Sequence, residues 1–331
     1  MPVHNCGDYL AAAVDSIINQ HGVRLELLII NDHSTDQAID ALAKDPRVHI
    51  LNSSGTGIVA ALNTGLAQAS YPFIARMDGD DIAMSDRLSV QLKFLLDNPD
   101  IDICGTQVEL FKDDEDIGGG YAYYQQWINN LNEHQEIAAN LFVESPIPHP
   151  TVMLRKNLLL ELGAYQDTSW AEDYDLWCRA FTQNKRFGKP DVGPLLQWRD
   201  HSDRVSRVEE RYSKQQFLQC KAKYLQLYLQ QQKISSCEIW GTGPTGLKLH
   251  DYLHAQGIQT ERFVDVNPKL QGRQKRGKPV FVIGEKLDQN QIAQITAIII
   301  VAVSTRGARE AIKNTLLDIN LIEMRDFILA A

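Results

Sequence analysis

Short apolar runs alternate with helical patterns from the first residues of this 331-residue chain. The apolar runs predict buried strands over Leu25–Ile30, Val48–Leu51 and Phe73–Met77. Between them, apolar residues recur at helical spacing in Tyr9–Gln20 and Ile58–Ala69. This alternation predicts a parallel α/β sheet with helices on both faces. Ligands of such sheets bind beyond the carboxyl ends of the strands, so the residues that follow each strand are the candidate functional residues.

The chain starts with MPVHN, which is typical of the last residues of a strand. Either this first strand is truncated, or the true start of the protein lies upstream. A truncated first strand would remove support from the loop that follows it.

A second alternation begins at Cys237, where a strand, a glycine-rich turn and a helix follow one another. The turn fits the pattern GxGxxG through Gly241, Gly243 and Gly246. Asp265 ends the next predicted strand about 20 residues later, as in a Rossmann-like dinucleotide fold. Such a turn can hold a phosphate, but many related folds bind none, so a nucleotide cofactor here is one of two alternatives.

These patterns predict three parts of the chain. Residues 1–207 form a first α/β domain. A helical apolar stripe over Val208–Gln232 predicts a brace or linker at 208–235, and residues 236–331 form a small Rossmann-like α/β domain.

Charge and cysteine content limit the location and partners of the chain. Residues 1–235 carry 21 Lys+Arg and 32 Asp+Glu, a net charge of −11, which argues against nucleic acid as a partner. Five scattered cysteines, and no apolar run near the ~20 residues of a membrane helix, favour a cytoplasmic protein with reduced thiols. The basic stretch 269–279 is either a solvated loop or a contact for phosphate or an acidic membrane, which leaves peripheral association at the inner membrane face as a hypothesis.

Three aspartates, Asp78, Asp80 and Asp81, follow the third predicted strand with only Gly79 between them. Carboxylates this close repel one another unless a cation lies between them. Mg²⁺ and Mn²⁺ prefer oxygen ligands, and Mg²⁺ often bridges carboxylates to substrate phosphates. The cluster therefore predicts either a divalent metal site or a solvated acidic turn.

Other carboxylates stand at similar positions. Asp32 ends the first long strand, where it is either a ligand or part of a helix-capping loop. Glu172 and Asp173 begin a predicted helix, and acidic residues in a first helical turn are favoured by the helix dipole. A carboxylate there should stay ionised at neutral pH, as a general base must.

Five ordered blocks of sequence resemble the family 2 glycosyltransferases, which have the GT-A fold. The blocks are MPVHNCGDYLAAAVDSIINQ, LLIINDHSTD, GIVAALNTGLAQASYPFIARMDGDD, HPTVMLRK and AEDYDLWCR. The resemblance covers residues 1 to about 207. It implies a GT-A nucleotide-diphospho-sugar transferase fold, followed by the Rossmann-like domain. It also implies transfer of a sugar, with inversion, from a nucleoside diphosphate to an acceptor hydroxyl.

By this resemblance, the nucleotide-sugar site would comprise Pro2, Val3, Asn5, Asp32, Asn63, Arg76 and Asp78. Asp32 would contact the base or the ribose. Many relatives carry arginine where this chain has Leu62, before Asn63, so one contact to the base or diphosphate is either missing or supplied by Arg76.

The resemblance also implies a metal site. Asp78 and Asp80 match the DxD motif of the family. Asp80 would be the principal ligand of Mn²⁺ or Mg²⁺, Asp78 would lie nearer the ribose, and Asp81 would hold the loop. His201, in a segment resembling the part that closes over the diphosphate, would be a metal or phosphate ligand.

Asp173 matches the aspartate of the family's ED motif and would be the general base that takes the proton from the acceptor. Glu172 would position Asp173 or touch the acceptor. Direct displacement needs one base and one charge sink for the leaving group.

The implied donor is a nucleotide-sugar, with UDP favoured by its frequency in the family. The implied acceptor is a saccharide or lipid-linked saccharide, in surface polysaccharide or glycolipid assembly. Two alternatives remain open at the level of sequence: a nucleotidyltransferase, which can share this metal geometry, and a non-catalytic protein that senses a nucleotide.

Overall fold

The structure is a computed structural model that describes residues 1–113, 117–202, 204–284, 295, 297–305 and 307–331. These residues form two compact units. The first unit comprises Met1–Ile137 and Pro146–Arg211, and the second comprises Ala138–Ser145 and Tyr212–Ala331.

The first unit alternates strands and helices as the sequence predicts. Its strands are β1 (Pro2–Val3), β2 (Leu27–Asn31), β3 (Val48–Asn52), β4 (Phe73–Ala75), β5 (Ile82–Ala83), β6 (Ile103–Cys104), β7 (Gln107–Phe111), β8 (Met153–Arg155), β9 (Phe187–Gly188) and β10 (Pro194–Arg199). Its helices are α1 (Tyr9–Ile18), α2 (Ile58–Gln68), α3 (Arg87–Asp97), α4 (Gly119–Asn129), α5 (His134–Asn140, which ends in the second unit), α6 (Lys156–Glu161), α7 (Glu172–Thr182) and α8 (Val205–Val208).

The strands of the first unit form three sheets. A parallel sheet has the order β1-β2-β3, a second sheet has the order β4-β8-β6-β9, and a third has the order β5-β10-β7. Only the first sheet is wholly parallel, because β8 runs antiparallel to β4 and β6, and β5 runs antiparallel to β10. The prediction that the second apolar run, Val48–Leu51, forms a buried strand fails in part at β3, where Ile50 is 49% exposed. This strand has β2 as its one partner strand among the described residues and so lies at an edge.

Helix α1 packs against the first sheet through its apolar side chains. Its apolar side chains Leu10, Val14 and Ile17 are buried and pack in one cluster with Val3 and Ile29 of the strands. Each such side chain contributes about 1.5–3 kcal/mol when fully buried. The ends of β1 and β2, and the loops that follow them, are therefore held on a rigid base.

The second unit is a doubly wound α/β fold. Its elements are α9 (Lys214–Gln231), β11 (Ser236–Trp240), α10 (Pro244–Ala255), β12 (Gln259–Asp265), β13 (Gln274–Lys275), β14 (Lys278–Val282), β15 (Ile298–Val301), α11 (Ala308–Asp318) and β16 (Phe327–Leu329). The sheet order is β13-β14-β12-β11-β15-β16, and β11 pairs in parallel with both β12 and β15. The chain therefore reverses direction of winding at β11, which confirms the predicted Rossmann-like fold.

The helix predicted over Val208–Gln232 begins later than its apolar stripe suggests. Residues Val205–Val208 form the separate helix α8, and Ser213 caps α9 by accepting a hydrogen bond from the backbone N of Gln216 (3.3 Å). Helix α9 lies within the second unit. Its Lys221 ammonium is buried and donates to the carbonyl oxygen of Val143 (3.0 Å). This hydrogen bond joins α9 to the segment Ala138–Ser145 of the same unit.

Gly246 lies where α10 passes closest to the glycine turn, and this contact gives a stability prediction. A Cβ at Gly246 would lie 2.1 Å from the carbonyl oxygen of Gly241, whereas a Cβ at Gly243 would meet nothing within 4 Å. Gly246→Ala is therefore expected to destabilise the second unit by at least about 1–3 kcal/mol, the usual cost of overpacking. Gly243→Ala is the matched control, and equal urea-denaturation midpoints for the two variants would contradict this packing.

No helix in the described part of the chain has both the length and the apolar character needed to cross a bilayer.

Candidate active site

The loop after β2 brings Asp32 against the start of α2. Both carboxylate oxygens of Asp32 accept from the backbone N of Gly57, at 2.9 and 3.1 Å. The φ of Gly57 is +93°, a conformation that favours glycine. His4 makes a 2.6 Å hydrogen bond from Nδ1 to the carbonyl oxygen of Asp32. Asp32 thus joins the end of β2 to the first loop and to the residue before α2. These bonds fit a structural role at a helix start, and a nucleotide contact by Asp32 stays a prediction.

The first loop is joined to the loop after β2 through Asn5. The side-chain oxygen of Asn5 accepts from the backbone N of Thr35 (2.7 Å) and of Asp36 (3.3 Å). Pro2 and Val3 are buried as the residues of β1, so they position this loop from within the sheet. A nucleotide contact of Pro2 or Val3 themselves stays a prediction.

The aspartate loop follows β4 and packs directly on the first loop. Asp78, Asp80 and Asp81 each offer one carboxylate oxygen, and these oxygens lie within 4.8 Å of one another. Gly79 allows the close approach, since a Cβ there would lie 2.7 Å from the sulfur of Cys6. The predicted clustering of the three carboxylates is confirmed.

Two of the three aspartates have opposite electrostatic environments. Burial opposes ionisation of Asp80, but a 2.8 Å hydrogen bond from His201 Nε2 and its charge lower the pKa of that carboxyl below its usual value. Burial, and then the charges of Asp78 and Asp80, raise the pKa of Asp81 well above its usual value. One oxygen of Asp81 accepts from the backbone N of Arg199 (2.9 Å). Asp81 therefore holds the loop to β10, as expected for it.

This arrangement is compatible with a divalent cation. The other oxygen of Asp81 is buried and has no hydrogen-bond partner among the described residues. A cation beside Asp78 and Asp80 would relieve the repulsion that raises the pKa of Asp81. Hard ions such as Mg²⁺ or Mn²⁺ suit carboxylate ligands. His201 contacts the cluster through Asp80, since its Nε2 lies 2.8 Å from an oxygen of that carboxylate.

Two buried arginines lie below the cluster. Arg76 forms an ion pair with Asp78. Arg87 donates from Nη2 to the carbonyl oxygen of Arg76 (2.6 Å). Burial lowers the pKa of Arg87 to about 10. Arg76 is thus held by Asp78 on one side and by its own backbone contact to Arg87 on the other.

The predicted base lies in the first turn of α7. Glu172 is 2% exposed, and its Oε1 lies 3.5 Å from His149 Nδ1. Asp173 accepts a 2.7 Å hydrogen bond from the backbone N of Tyr174. Burial, and then the charge of Glu172, raise the pKa of Asp173 to about 8. Burial therefore opposes the expectation that this carboxyl is ionised at neutral pH, and its role as the base stays a prediction.

Sequence reasoning did not single out Tyr165, which links two predicted residues. The hydroxyl of Tyr165 lies 2.9 Å from His149 Nε2, and its backbone N and O are both bonded by the side-chain amide of Asn63 (3.1 and 2.9 Å). Burial, and then the charge of Arg76, lower the pKa of His149 and so favour its neutral form. The amide of Asn63 positions the loop before α7, and no sequence pattern marks Tyr165 as its partner.

Arg199 was also missed. Its guanidinium lies between the rings of Tyr9 and Phe111, at 4.4 Å from each centroid, and its Nε donates to the carbonyl oxygen of Asp80 (2.8 Å). In the sequence, Arg199 is marked only by its position two residues before His201, in the segment that resembles the part closing over the diphosphate. Arg199 fixes the backbone that carries Asp80.

The first-unit candidates therefore form connected groups. The first loop contacts the aspartate loop, and the charge of Arg76 acts on Asp78, Glu172 and Asp173 together.

The four candidates of the second unit form a separate turn. Gly241 has a φ of +124°, and a Cβ there would lie 2.8 Å from the carbonyl oxygen of Ala302. Gly243 precedes α10, and the carboxylate of Asp265 accepts from the backbone N of Thr242 (3.2 Å). Asp265 is engaged in holding the turn, and binding of a phosphate by this turn stays a prediction.

Comparison with known proteins decides the family. A model described as Glycosyl transferase family 2 matches residues 1–163. The O-antigen biosynthesis glycosyltransferase WbnJ of Escherichia coli is 30% identical over 208 residues, which cover 61% of this chain and 78% of WbnJ. The chain belongs to glycosyltransferase family 2. An uncharacterized glycosyltransferase of Haemophilus influenzae is 31% identical over 214 residues, which cover 62% of this chain and 65% of that relative.

The fold agrees with this membership. The crystal structure of Staphylococcus aureus TarS 1–349 in complex with UDP-GlcNAc matches with a TM-score of 0.52, at 16% identity, over 69% of this chain and 71% of that chain. The predicted GT-A fold of this family 2 enzyme is therefore confirmed. The aspartates Asp78 and Asp80 stand where the DxD motif was expected.

Proposed function

We propose that the protein is a metal-dependent, inverting glycosyltransferase that moves a sugar from a nucleotide-sugar to an acceptor hydroxyl. A UDP-sugar is the proposed donor, and a saccharide or lipid-linked saccharide is the proposed acceptor. Relatives named for O-antigen and amylovoran biosynthesis support a role in surface polysaccharide or glycolipid assembly. The proposed location is the cytoplasm, with peripheral contact to the inner membrane face.

One observation carries the proposal: the acidic cluster and the carboxyl pair at the start of α7 both lie within electrostatic reach of one buried arginine. Arg76 is paired with Asp78, and its charge also acts on Glu172 and Asp173. Sugar transfer requires both groups at once, since negative charge collects on the departing diphosphate while a proton leaves the acceptor. An acidic turn without a function would not need a second carboxyl pair in electrostatic contact.

The proposed reaction is a single displacement. The acceptor oxygen forms a bond to the anomeric carbon while the bond from that carbon to the diphosphate oxygen breaks, and its electron pair leaves with the nucleoside diphosphate. Asp173 takes the acceptor proton, and Glu172 holds the acceptor or Asp173 in place. Asp80 and Asp78 would hold a divalent cation, which would supply Lewis-acid stabilisation of the departing charge. The loops of Asn5 and Asp32 orient the nucleotide.

The raised pKa of Asp173 gives a pH prediction. A base must be deprotonated in the free enzyme, so kcat/KM should rise with pH until it levels near the pKa of about 8. Below that value it should fall roughly tenfold per pH unit. The profile is measured at a fixed Mn²⁺ concentration, with donor binding followed over the same range as the control. A flat kcat/KM profile between pH 6 and pH 8 would show that another group acts as base.

A donor screen tests the function itself. Release of UDP from several UDP-sugars, or of GDP and TDP from theirs, is followed with and without Mn²⁺ and with candidate saccharide acceptors. Turnover that requires both the sugar donor and the ion supports the proposal. Release of pyrophosphate would instead identify a nucleotidyltransferase, and tight nucleotide binding without any turnover would identify a sensor.

The glycine turn of the second unit is proposed to bind a nucleotide phosphate through Gly241, Gly243 and the first turn of α10, beside Asp265. The support is the positive φ of Gly241 and the open space around Gly243. Calorimetry with NAD, ATP and UDP tests the proposal, and absence of heat with all of them would reject it.

A further inference from the structure

A chain of buried polar groups runs up to the carboxyl pair at the start of α7. The hydroxyl of Tyr165 lies 2.9 Å from Nε2 of His149, and Nδ1 of the same ring lies 3.5 Å from Oε1 of Glu172. Each of these three residues is at most 6% exposed. Water has little access to the chain, so the position of its protons is set by the three side chains themselves.

The imidazole of His149 is held in one orientation by its neighbours. The ring of Trp177 meets it edge-on, with centroids 5.9 Å apart, and the ring of Tyr165 lies tilted against it at 5.3 Å. The backbone of Tyr165 is held in turn by the side-chain amide of Asn63, at both its N and its O. The place of the imidazole between a hydroxyl and a carboxylate is therefore fixed by packing on α7 and α2.

The partners of the two ring nitrogens decide which of them carries the proton. An ionised carboxylate only accepts hydrogen bonds, so Nδ1 must be protonated in order to bond to Glu172. Nε2 of a neutral imidazole then only accepts, and the hydroxyl of Tyr165 must donate to it. The neutral imidazole is the favoured form, because burial and the charge of Arg76 lower the pKa of His149.

The state of Glu172 matters for the residue next to it. After burial, the charge of Glu172 is the largest cause of the raised pKa of Asp173. The other charged or titratable groups that face this chain come from the segment after β4 and from α7, and they are Arg76, Asp78, Asp173 and Arg179. A group that holds negative charge on Glu172 therefore also sets the pH at which Asp173 loses its proton.

We propose that His149 is a positioning residue for sugar transfer, whose Nδ1–H holds the ionised carboxylate of Glu172 while Tyr165 fixes the required tautomer. Glu172 then carries the standing negative charge of the pair, and Asp173 is the member that gains and loses the proton. Two carboxyls whose environments differ separate into such roles. This role rests on the proposed function, since the base at Asp173 belongs to it.

The position of the proton is tested without any activity measurement. In nitrogen NMR spectra of histidine-labelled protein, the signals that disappear in His149→Asn belong to His149. In the wild type they should show a neutral ring protonated at Nδ1 from pH 6 to pH 8. A ring protonated at Nε2, or an imidazolium over this range, would overturn the proposal.

Two substitutions of His149 separate its two contacts. The amide nitrogen of asparagine can take the place of Nδ1, and that of glutamine the place of Nε2, so only His149→Asn can keep the bond to Glu172. Without this bond the negative charge of Glu172 is less stable, and Asp173 ionises more easily. In His149→Gln the acid limb of the kcat/KM profile should therefore lie at least about one pH unit lower, with kcat reduced at least about tenfold. His149→Asn should keep the wild-type limb.

His134→Gln is the matched control. Nδ1 of this partly buried imidazole accepts from the backbone N of Phe187 (3.3 Å), outside the candidate site, so the substitution should leave the limb in place. The double variant of Glu172→Gln and His149→Gln should have the limb of Glu172→Gln alone, because the charge that His149 holds is then absent. A lower kcat with an unshifted limb in His149→Gln would show a role in packing only and overturn the proposal.

Failure of this proposal and failure of the proposed function give different results. Absence of turnover in the wild type, with every donor and ion, would reject sugar transfer, and the spectrum would then decide the tautomer of His149 by itself. The spectrum decides it equally if His149→Gln does not fold. Turnover with a wild-type ring protonated at Nε2 would keep the proposed function and reject the role of His149.

Discussion

Asp173→Asn is expected to fold, to bind the donor and to lose at least about 10²-fold in transfer rate, the usual loss when a general base is removed. The amide keeps the size of the side chain and its hydrogen bond from the backbone N of Tyr174. It cannot accept the acceptor proton as the new bond forms. The rate is measured as nucleoside diphosphate release with the donor and ion identified by the screen.

Two controls separate loss of the base from loss of structure. Asp167→Asn changes an exposed carboxylate of the same unit and should transfer at the wild-type rate. The stability of Asp173→Asn should also differ from wild type in a defined direction. The folded-state pKa of Asp173 is raised to about 8, above its unfolded value. The wild-type protein therefore loses folding stability as the pH rises from the unfolded pKa of this carboxyl towards its folded pKa. The amide has no such loss, so the Tm difference in its favour should grow between pH 5 and pH 8.5. Wild-type transfer by Asp173→Asn would remove this residue from the mechanism.

Asp80→Asn is expected to reduce turnover by about 10²–10³-fold, the range for loss of one group that stabilises developing charge. Burial opposes ionisation of the Asp80 carboxyl, but the hydrogen bond from His201 and the charges of His201 and Arg204 together lower its pKa below the usual value. Neutralising it removes a proposed metal ligand and part of the repulsion on Asp81, but also the charge that His201 and Arg204 stabilise. The variant should still fold while it turns over slowly.

Asp86→Asn is the matched control for Asp80→Asn. Asp86 is an exposed carboxylate shortly after the aspartate loop and makes no capping hydrogen bond with its side chain at the start of α3. Its substitution should change neither turnover nor the dependence of turnover on Mn²⁺. If Asp80→Asn retained wild-type turnover at every Mn²⁺ concentration, the acidic cluster would have no catalytic function.

Patterns of local residues predicted the elements that are strongly periodic. Strand β2, helix α2 and the glycine turn before α10 lie within a few residues of their predicted bounds. The start of α9 was predicted too early, because the apolar stripe does not show that Ser213 interrupts the backbone before it caps the helix. The exposure of β3 was missed since strand order, which makes it an edge, is a long-range property.

In the candidate site, too, the residue types could be predicted from the sequence, whereas contacts between distant segments could not. Resemblance to the family identified Asp80 and His201, which are 121 positions apart and joined by one hydrogen bond. The use of the Asn63 amide to hold Tyr165 could not be predicted, because it depends on how two distant loops pack. The pKa of Asp173 also depends on packing, since burial is the largest cause of its rise. Sequence predicts which groups are present, and the fold determines their protonation and partners.

Calorimetric titration of UDP into the wild-type protein, with Mn²⁺ and with EDTA, tests most directly whether the acidic loop holds a diphosphate through a cation. We expect measurable binding with Mn²⁺ and loss of at least about tenfold in affinity, or about 1.4 kcal/mol, with EDTA. Equal affinity under both conditions would contradict a cation-mediated contact at Asp78 and Asp80.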